Sequence, residues 1–374
     1  MAKRIIISGG GTGGHIFPAI AIADALKKLY PDIELLFVGA NGRMEMEKVP
    51  AAGYQIEGLD IAGFQRGSIL KNLSLPFKIL NSVQKAKSII ENFKPDAVVG
   101  VGGYASGPVL YAASNKNIPI LIQEQNSYAG ITNKWLSKKA KRVCVAFDGM
   151  EKFFPADRII KTGNPIRRSS VDIEGKRAGS FDFFKLSPTK KTILVTGGSL
   201  GAGTLNKCML AGLEELIAAD MQLIWQTGKY YYKGIVEKLG ENVHPNICVL
   251  AFLNRMDLAY AAADVIISRA GAGTIAELCI VKKPVILVPS PNVAEDHQTK
   301  NAQALVNQNA AILVRDIDAE NTLIKTVLAL LKDEDQQQKL STQIGKLAMP
   351  DADLNIAKEV LKITENNTDA VFTA

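Results

Sequence analysis

Short apolar runs rich in isoleucine, valine and leucine alternate with longer amphipathic stretches along most of the chain. The apolar runs predict strands at residues 4–8, 35–38, 97–101, 120–122 and 143–146, and then at 192–196, 223–226, 247–250, 265–268, 285–288 and 311–314. Helical spacing lies between them, for example at residues 16–29, 204–218 and 275–281. Strands that alternate with helices form parallel sheets covered on both faces. The two series therefore predict an α/β protein with two doubly wound domains.

The strand rhythm pauses at residues 162–180, where the run TGNPIRRSS carries Gly, Asn and Pro. We place the linker there and predict an N-terminal domain at residues 1–165 and a C-terminal domain at residues 166–350. The segments IIISGGGTGGHIFP (5–18) and ILVTGGSLGAGTLN (193–206) each consist of a strand, a glycine-rich turn and a helix start, and each opens one domain. The tail from residue 351 predicts a final helix at 354–363.

Four glycine-rich segments each follow a predicted strand, at residues 9–15, 100–107, 197–203 and 270–274. Glycine allows close backbone approach, and the N-terminus of the next helix offers N–H groups and partial positive charge, which suit phosphate. One such loop is more often a packing turn, but four favour a ligand site, because open α/β sheets bind ligands at strand ends. No GxxxxGK[ST] motif is present, which argues against a P-loop NTPase. The second strand (LLFVGANGR, 35–43) ends without an acidic residue, which argues against NAD binding.

Residues 268–302 form the most specific segment of the chain. Glu277 lies in the first turns of a predicted helix, where a carboxylate can accept hydrogen bonds from vicinal ribose hydroxyls while phosphate lies at the helix start. The alternative is that Glu277 only complements the helix dipole. Gln298 can bond sugar hydroxyls without adding charge, and its alternative is an ordinary surface position near a helix N-terminus.

The positive charge is unevenly distributed. The chain of 374 residues has a net charge of +7, and residues 1–165 hold 21 Lys and Arg against 13 Asp and Glu. Residues 63–90 and 125–147 contain no acid and interleave basic with apolar side chains. Such segments suit an anionic bilayer surface, where each basic residue is worth about 1 kcal/mol. The alternative is a core helix with a solvated basic face. The candidate membrane-binding residues are Ile69, Lys71, Leu73, Phe77, Lys78, Trp135 and Lys138.

Other partners and cofactors find little support in the composition. The basic segments carry no recognisable nucleic-acid motif, so nucleic acid is not expected as a partner. The four cysteines show no CxxC spacing, which indicates a reducing compartment. The three histidines are far apart, so His and Cys side chains leave little material for a metal site. No apolar run approaches the roughly 20 residues of a membrane span, and the opening stretch is too short for a signal peptide. We expect a soluble cytosolic protein.

Seven segments together carry a family resemblance. They are GGGTGGHIFPAIAIA (9–23), VGVGGYASGP (99–108), QEQNSYAGITNK (123–134), TGNPIR (162–167), TGGSLGA (196–202), GTIAE (273–277) and DHQTKNA (296–302). Their combination resembles the MurG family of glycosyltransferases of peptidoglycan synthesis. The resemblance implies the GT-B architecture, in which two Rossmann-like domains face a cleft and the last helix, here 351–374, packs back on the first domain.

The resemblance also implies an activity and a location. The family transfers GlcNAc from UDP-GlcNAc to the 4-hydroxyl of MurNAc in lipid I, with inversion, and releases lipid II and UDP. The expected partners are therefore UDP-GlcNAc, lipid I (undecaprenyl-pyrophosphoryl-MurNAc-pentapeptide), an anionic membrane surface and cell-wall synthesis proteins. The expected location is the cytoplasmic face of the cell membrane, with peripheral attachment through the first domain.

The family's binding residues carry over to matching positions. Thr12, Gly13 and Gly14 match a glycine loop that faces the cleft, and Asn126 and Arg167 match polar residues near the donor sugar and its diphosphate. Ser199 matches a donor-loop serine, and Leu253 matches an apolar residue whose backbone meets uracil. Gln298 matches a glutamine that reaches the sugar hydroxyls, although His297 could take that role. The matching loop and ribose-binding glutamate are Ala272, Gly273, Thr274, Ile275, Ala276 and Glu277.

An inverting transfer needs a base for the acceptor hydroxyl and neutralisation of the departing diphosphate. His15 is the first candidate base, because imidazole has an unperturbed pKa of about 6.5; the alternative is that it caps or packs the loop. Glu124 is the second candidate, with Tyr104 and Asn126 as neighbours that orient the hydroxyl. Helix N-termini and Arg167 could hold the leaving UDP, so the sequence does not require Mg²⁺ or another cofactor.

Rival functions stay open on the sequence. One is another GT-B enzyme, such as a UDP-GlcNAc 2-epimerase. Another is a nucleotide-sugar-binding protein without catalysis. An NAD-dependent oxidoreductase is more distant, because the acidic residue expected after the second strand is missing.

Overall fold

A computed structural model describes residues 2–61, 75–198, 200–241 and 243–365 of the chain. The chain divides into two compact units, residues 1–166 together with 350–374, and residues 167–349. None of the helices in the described ranges combines the length and the apolar character that a membrane-spanning segment requires.

The first unit is built on a parallel sheet. In its described residues the strands are β1 (Arg4–Ser8), β2 (Glu34–Ala40), β3 (Gln55–Leu59), β4 (Ala97–Gly100), β5 (Ile120–Glu124), β6 (Arg142–Val145) and β7 (Ile159–Lys161). They lie in the order β3-β2-β1-β4-β5-β6-β7, and every pair is parallel. Ile5 and Ile7 of β1 enter one apolar cluster and Ile6 enters another, so helices cover both faces.

The helices of this unit follow the strands. The α-helices described before β7 are α1 (Gly13–Leu29), α2 (Glu45–Ala51), α3 (Leu75–Phe93), α4 (Ser106–Asn115) and α5 (Ile131–Leu136). Ile16, Ile22 and Leu26 recur on one face of α1 and are buried against the sheet, as the helical repeat of about 3.6 residues requires. Only the second half of α3 is buried in this way, at Ala86, Ile89 and Ile90.

The second unit repeats the same construction. In its described residues the strands are β8 (Thr192–Thr196), β9 (Gln222–Gln226), β10 (Ile247–Leu250), β11 (Val265–Ser268), β12 (Val285–Leu287) and β13 (Ile312–Leu313). They are parallel in the order β10-β9-β8-β11-β12-β13. The sheet order reverses between β8 and β11, where doubly wound folds bind ligands.

Ten α-helices are described in the second unit. They are α6 (Arg168–Val171), α7 (Arg177–Phe184), α8 (Gly203–Ala211), α9 (Leu213–Ala218), α10 (Lys229–Leu239), α11 (Met256–Ala262), α12 (Ala272–Val281), α13 (His297–Val306), α14 (Ala319–Lys332) and α15 (Glu334–Lys346). The last described helix, α16 (Ala352–Glu365), belongs to the first unit and packs against α1. Its residues Ile356, Val360 and Ile363 are buried in the same cluster as Ile5 and Ile7.

The predicted α/β fold class is confirmed, and three local predictions need correction. Strands β3 and β7 were not predicted. The predicted helix 204–218 is two helices: α8 ends at Ala211 and α9 begins at Leu213, and at Gly212 between them a Cβ would lie 2.3 Å from Cγ1 of Ile324. The predicted linker 162–180 contains α6 and the first part of α7, so it is shorter than expected. The roles assigned to the two units stay predictions.

Candidate active site

In the second unit, the loop between β11 and α12 presents a helix start at the edge of the sheet. Gly271 is extended (φ −66°, ψ 142°) and the helix begins at Ala272. The first N–H groups of a helix point away from its body and carry partial positive charge. Gly273 is exposed and Thr274 and Ala276 are half-buried, whereas the side chain of Ile275 is in the core. Ile275 can therefore meet a ligand only through its backbone.

Gln298 connects two of the strand-end loops. Its Oε1 accepts hydrogen bonds from the N–H of Ala270, at 3.2 Å, and from the N–H of Ser290, at 2.9 Å. Ala270 follows β11 and Ser290 follows β12, so this side chain fixes the separation of the two loops. Its Nε2 is the group that could donate to a sugar hydroxyl. His297 begins α13 beside it, and the choice between the two residues stays open.

Glu277 lies on α12 and is held from a neighbouring helix. The hydroxyl of Tyr260, on α11, donates to Oε2 of Glu277 at 2.9 Å. Burial raises the pKa of Glu277, while the Tyr260 hydrogen bond and the charge of Arg167 oppose that rise. Arg167 immediately precedes α6. The structure therefore places Arg167, the predicted diphosphate residue, where its charge acts on the carboxyl group of Glu277, the predicted ribose residue.

The glycine loop after β8 rests on the end of β9. Gly201 has φ +79°, and a Cβ there would lie 2.0 Å from the carbonyl oxygen of Thr227. Nε2 of Gln226 donates to the carbonyl oxygen of Gly198 at 2.8 Å. Only glycine at position 201 permits this close approach. Leu253 follows β10 and is buried. Ser199 lies outside the described residues.

Arg269 is a structural residue of this edge that the sequence analysis missed. Its guanidinium donates to the carbonyl oxygens of Val288 and Pro289 and to the carboxylate of Asp316. Asp316 also accepts a hydrogen bond from the hydroxyl of Thr204 on α8, at 3.0 Å. These bonds join the loops after β11, β12 and β13. No local pattern could have revealed a pair separated by 47 positions.

In the first unit, the glycine loop after β1 packs on the loop after β4. The N–H of Gly10 donates to the carbonyl oxygen of Gly102 at 3.2 Å. A Cβ on Gly103 would lie 2.3 Å from the carbonyl oxygen of Gly10. Thr12 and Gly14 are exposed and Gly13 is half-buried at the start of α1. The matched loop is therefore accessible at the sheet edge, as its predicted role requires.

Glu45, a second residue that the sequence analysis missed, supports this loop from below. It is 1% exposed, and its Oε2 accepts from the N–H of Gly11 at 2.9 Å. Its Oε1 accepts from the N–H of Ala40 at 3.0 Å. Cβ atoms on Gly10 and Gly39 would lie 2.1 and 2.6 Å from atoms of Glu45. A carboxylate thus occupies the space beneath a loop whose sequence resembles a phosphate-binding turn.

His15 is oriented by that same loop. Its Nδ1 lies 3.1 Å from the carbonyl oxygen of Gly10 and 3.3 Å from the hydroxyl of Thr12. Because a carbonyl oxygen only accepts hydrogen bonds, we assign the ring proton to Nδ1, which makes Nε2 the basic nitrogen. Gly102 has φ +94°, and a Cβ there would lie 2.8 Å from Nε2, so glycine leaves space for the imidazole.

Glu124 ends β5 and is almost fully enclosed, at 2% exposure. Oε1 accepts from the N–H and Nδ2 of Asn126, and Oε2 accepts from the N–H of Gly130 and from Nδ2 of Asn133. Burial raises the pKa of Glu124, and these four hydrogen bonds oppose the rise. The carboxylate therefore shapes the loop that carries Asn126. Tyr104, in the turn before α4, is 51% exposed.

Buried amides connect the loops behind Glu124. Nε2 of Gln123 donates to Oδ1 of Asn164 at 2.9 Å, and Nδ2 of Asn164 donates to the carbonyl oxygen of Gln125 at 2.9 Å. Nε2 of Gln125 donates to the carbonyl oxygen of Val101 at 2.6 Å. Asn164 belongs to the TGNPIR segment, so this segment is fixed to the ends of β4 and β5.

The described candidate membrane residues lie on the surface of the first unit. Phe77 and Trp135 are 71% and 59% exposed, and Lys78 and Lys138 are exposed as well. Helix α4 packs against both α3 and α5, and the rings of Tyr111 and Trp135 stack with centroids 5.4 Å apart. Ile69, Lys71 and Leu73 lie outside the described residues.

A metal centre finds no preformed ligand set in the part of the chain that the structure describes. There, no three His, Cys, Asp or Glu side chains are grouped so that they could hold an ion. The expectation of a metal-independent reaction stays a prediction.

Comparisons with known proteins identify the class and then the family. Two family models match the chain, the glycosyltransferase family 28 N-terminal domain at residues 5–145 and its C-terminal domain at residues 192–356. Together with the two parallel-sheet units, they define a glycosyltransferase of the GT-B fold. A relative from Bacteroides fragilis, named as a UDP-N-acetylglucosamine--N-acetylmuramyl-(pentapeptide) pyrophosphoryl-undecaprenol N-acetylglucosamine transferase, is 55% identical over 98% of this chain and 97% of its own. The chain belongs to the MurG family.

Solved structures agree with this assignment. The crystal structure of Acinetobacter baumannii MurG has a TM-score of 0.79 and 30% identity, and the match covers 96% of this chain and 99% of that one. A UDP-GlcNAc 2-epimerase from Neisseria meningitidis, solved with UDP-GlcNAc bound, has a TM-score of 0.65 and 16% identity over 96% of this chain and all of that one. At 16% identity this second match shows only that the two proteins share a fold, so it does not support the rival epimerase function.

Proposed function

We propose that the protein transfers GlcNAc from UDP-GlcNAc to the 4-hydroxyl of MurNAc in lipid I, with inversion, and releases lipid II and UDP. The observation that carries the proposal is the 55% identity over 98% of the chain to a relative named for this transfer. The GT-B fold and the polar loops at the carboxyl edges of both sheets support it.

The second unit holds the donor in this proposal. Glu277 accepts hydrogen bonds from the ribose hydroxyls, and Gln298 donates through Nε2 to the sugar. The N-terminal turn of α12 and the guanidinium of Arg167 neutralise the diphosphate as its bond to the sugar breaks. Arg167 supports this role because its charge already acts on the carboxyl group of Glu277.

The first unit supplies the base. The 4-hydroxyl oxygen attacks C1 of GlcNAc while the bond from C1 to the diphosphate oxygen breaks, and UDP leaves with that electron pair. Nε2 of His15 takes the hydroxyl proton, since the contact of Nδ1 with the carbonyl oxygen of Gly10 selects the required tautomer. Glu124 is the weaker candidate, because four donors already use its carboxylate. Its bonds to Asn126, Gly130 and Asn133 favour a role in shaping the loop that carries Asn126.

The acceptor is a lipid, so the protein works at a membrane surface. We propose peripheral attachment to the cytoplasmic face through the first turns of α3 and through α5. Phe77, Leu80 and Trp135 are exposed there, with Lys78 and Lys138 beside them in sequence. Apolar side chains flanked by lysines gain both from insertion and from anionic headgroups.

A UDP-release assay with a short-chain lipid I analogue tests the transfer. We expect UDP release that requires both the analogue and UDP-GlcNAc and that falls sharply with other UDP-sugars. Formation of UDP-ManNAc without any acceptor would support the epimerase instead. Tight binding of UDP-GlcNAc without UDP release in the presence of the analogue would support a non-catalytic binding protein.

A further inference from the structure

The hydroxyl group of Tyr260 lies in a buried region, where a polar group costs free energy unless it forms a hydrogen bond. Tyr260 is 0% exposed on α11, where residues 257–262 are all buried. Its hydroxyl donates to Oε2 of Glu277 at 2.9 Å across 17 positions of sequence. A phenol in such surroundings adds a desolvation cost that phenylalanine would avoid, and its hydrogen bond to the carboxylate offsets that cost.

The direction of this hydrogen bond is fixed. Burial raises the pKa of Tyr260 well above its ordinary value, and the charge of Glu277 raises it further, so the phenol keeps its proton and donates. A carboxylate has two oxygens that accept hydrogen bonds. Because Oε2 accepts from Tyr260, this hydrogen bond restrains the carboxylate, and Oε1 is the oxygen that can accept from a ligand.

We propose that Tyr260 is a positioning residue for the nucleotide: by holding one oxygen of Glu277 it presents the other to the vicinal hydroxyls of the donor ribose. This inference rests on the proposed function, in which Glu277 accepts from those hydroxyls. Without the phenol, the carboxylate must be ordered by the ligand itself, and the side-chain entropy lost at that moment weakens binding.

Titration calorimetry with UDP and with 2′,3′-dideoxy-UDP, which lacks both hydroxyls, tests the proposal. For Tyr260→Phe we expect UDP affinity to fall about five- to tenfold, the size expected when binding must also order one flexible side chain. Affinity for 2′,3′-dideoxy-UDP should stay within about twofold of the wild type, because the positioned oxygen has nothing to bind in that ligand. A loss confined to the ribose hydroxyls is what a merely structural phenol would not produce.

Tyr54→Phe is the matched control. Tyr54 is in the first unit, and its hydroxyl also donates to a carboxylate, Asp24, at 2.5 Å. This variant removes the same kind of bond away from the proposed donor site, so it should bind both nucleotides as the wild type does. In a Glu277→Gln background, adding Tyr260→Phe should cost less than about twofold in UDP affinity, because the two residues act as one unit.

The outcomes separate the inference from the function beneath it. Suppose that the wild type binds UDP more tightly than the dideoxy nucleotide. If Tyr260→Phe then binds UDP as tightly as the wild type does, Tyr260 has no positioning role. An equal loss for both nucleotides would also overturn the role, since it would reflect packing. If the wild type does not bind UDP, or binds both nucleotides alike, the assignment of Glu277 to the ribose is wrong and the inference falls with it.

Discussion

Two buried carboxylates in the first unit organise loops through hydrogen bonds from N–H groups. Glu124 accepts four such bonds around the Asn126 loop, and Glu45 accepts two backbone bonds beneath the first glycine loop. A carboxylate suits these places because both of its oxygens accept, whereas an amide offers one acceptor and one donor. Each of the two positions therefore requires a carboxylate to stabilise its loop, independently of any contact with substrate.

Replacing Glu45 with Gln tests this argument. One of the N–H groups of Gly11 and Ala40 would then face the amide NH₂, and a buried unsatisfied donor costs about 1–3 kcal/mol of unfolding free energy. We expect that loss in denaturant unfolding, together with a lower kcat, because the same loop orients His15. Glu47→Gln is the control, since Glu47 lies on the same helix with its side chain 77% exposed. Equal unfolding curves for Glu45→Gln and the wild type would refute the supporting role.

His15→Ala tests the proposed base. General base catalysis contributes about 10²–10⁴ in rate, so kcat should fall by that order while the donor KM changes by about threefold or less. His244→Ala is the matched control, because His244 lies exposed in the second unit. The measurement is UDP release with saturating lipid I analogue. An unchanged kcat would remove His15 as the base and return attention to Glu124.

The sequence predicts those site residues whose role is local. Glu277 and Arg167 lie next to glycine-rich or proline-containing segments that mark strand ends, so pattern and resemblance locate them. Tyr260, Arg269 and Glu45 give no such signal. Each acts on a partner between 17 and 47 positions away, through a contact that exists only after the strands have aligned. Residues that position other residues through contacts distant in sequence therefore cannot be recognised from a single sequence.

At the level of elements, the two strands that the sequence analysis did not predict are the edges of the first sheet. The central strands β1, β8 and β11 have the predicted bounds, because strands buried on both faces are almost wholly apolar. The edge strand β10 also has its predicted bounds, because its four residues, ICVL, are all apolar. The unpredicted β3 and β7 lie at the two edges of their sheet and are partly exposed. β3 carries polar residues (QIEGL) and β7 is only three residues long, so their apolar pattern is weak.

Helices α7 and α11 are joined by an ionic cluster whose effect depends on pH. The carboxylate of Asp257, on α11, accepts from Arg255 and from Lys176, the residue before α7. The hydrogen bond from Arg255, followed by that from Lys176, lowers the pKa of Asp257. A lowered pKa means that the stabilisation is present above the unfolded-state pKa of about 3.9 and is lost as the pH falls through the folded-state value.

Asp257→Asn should therefore lower the free energy of unfolding near neutral pH by about 1 kcal/mol, a modest figure because Arg255 is half exposed. The difference from the wild type should be constant above pH about 5 and should shrink below about 4. Denaturant unfolding across this range measures it. Asp172→Asn is the control, since Asp172 also pairs with Lys176 but is 64% exposed and should change stability little. A difference that grows in acid would contradict the argument.

At the scale of the whole molecule, elements from opposite ends of the described chain pack together in one core. The last described helix, α16, closes the core of the first unit, where Ile356 and Val360 are buried with Ile5 and Ile7 of the first strand. The first unit thus needs both ends of the described chain, and the second unit is inserted between them. The core of the first unit is therefore complete only with the last described helix, which carries residues that pack with β1.

The positive charge of the molecule is concentrated in one part of the chain, and the membrane proposal depends on this distribution. Residues 1–165 carry the positive surplus, and α3 is exposed at its first turns while its second half is buried. That division leaves the exposed Phe77, Ile79 and Leu80 next to basic residues rather than in the core. Exposed apolar side chains grouped with lysines are what an anionic bilayer surface binds.

The variant Phe77→Glu, Lys78→Glu tests this attachment. It removes one inserting ring and reverses one basic charge, and with about 1 kcal/mol per basic residue plus the apolar loss, partition to anionic liposomes should fall at least about tenfold. The control is Tyr230→Glu, Lys233→Glu, which makes the same charge change at exposed positions of α10 in the second unit. It lowers the net charge equally, so it should keep most of its sedimentation if attachment is local to α3. Equal losses in the two variants would show that only overall charge matters, and unaltered sedimentation of the first variant would place the membrane contact elsewhere.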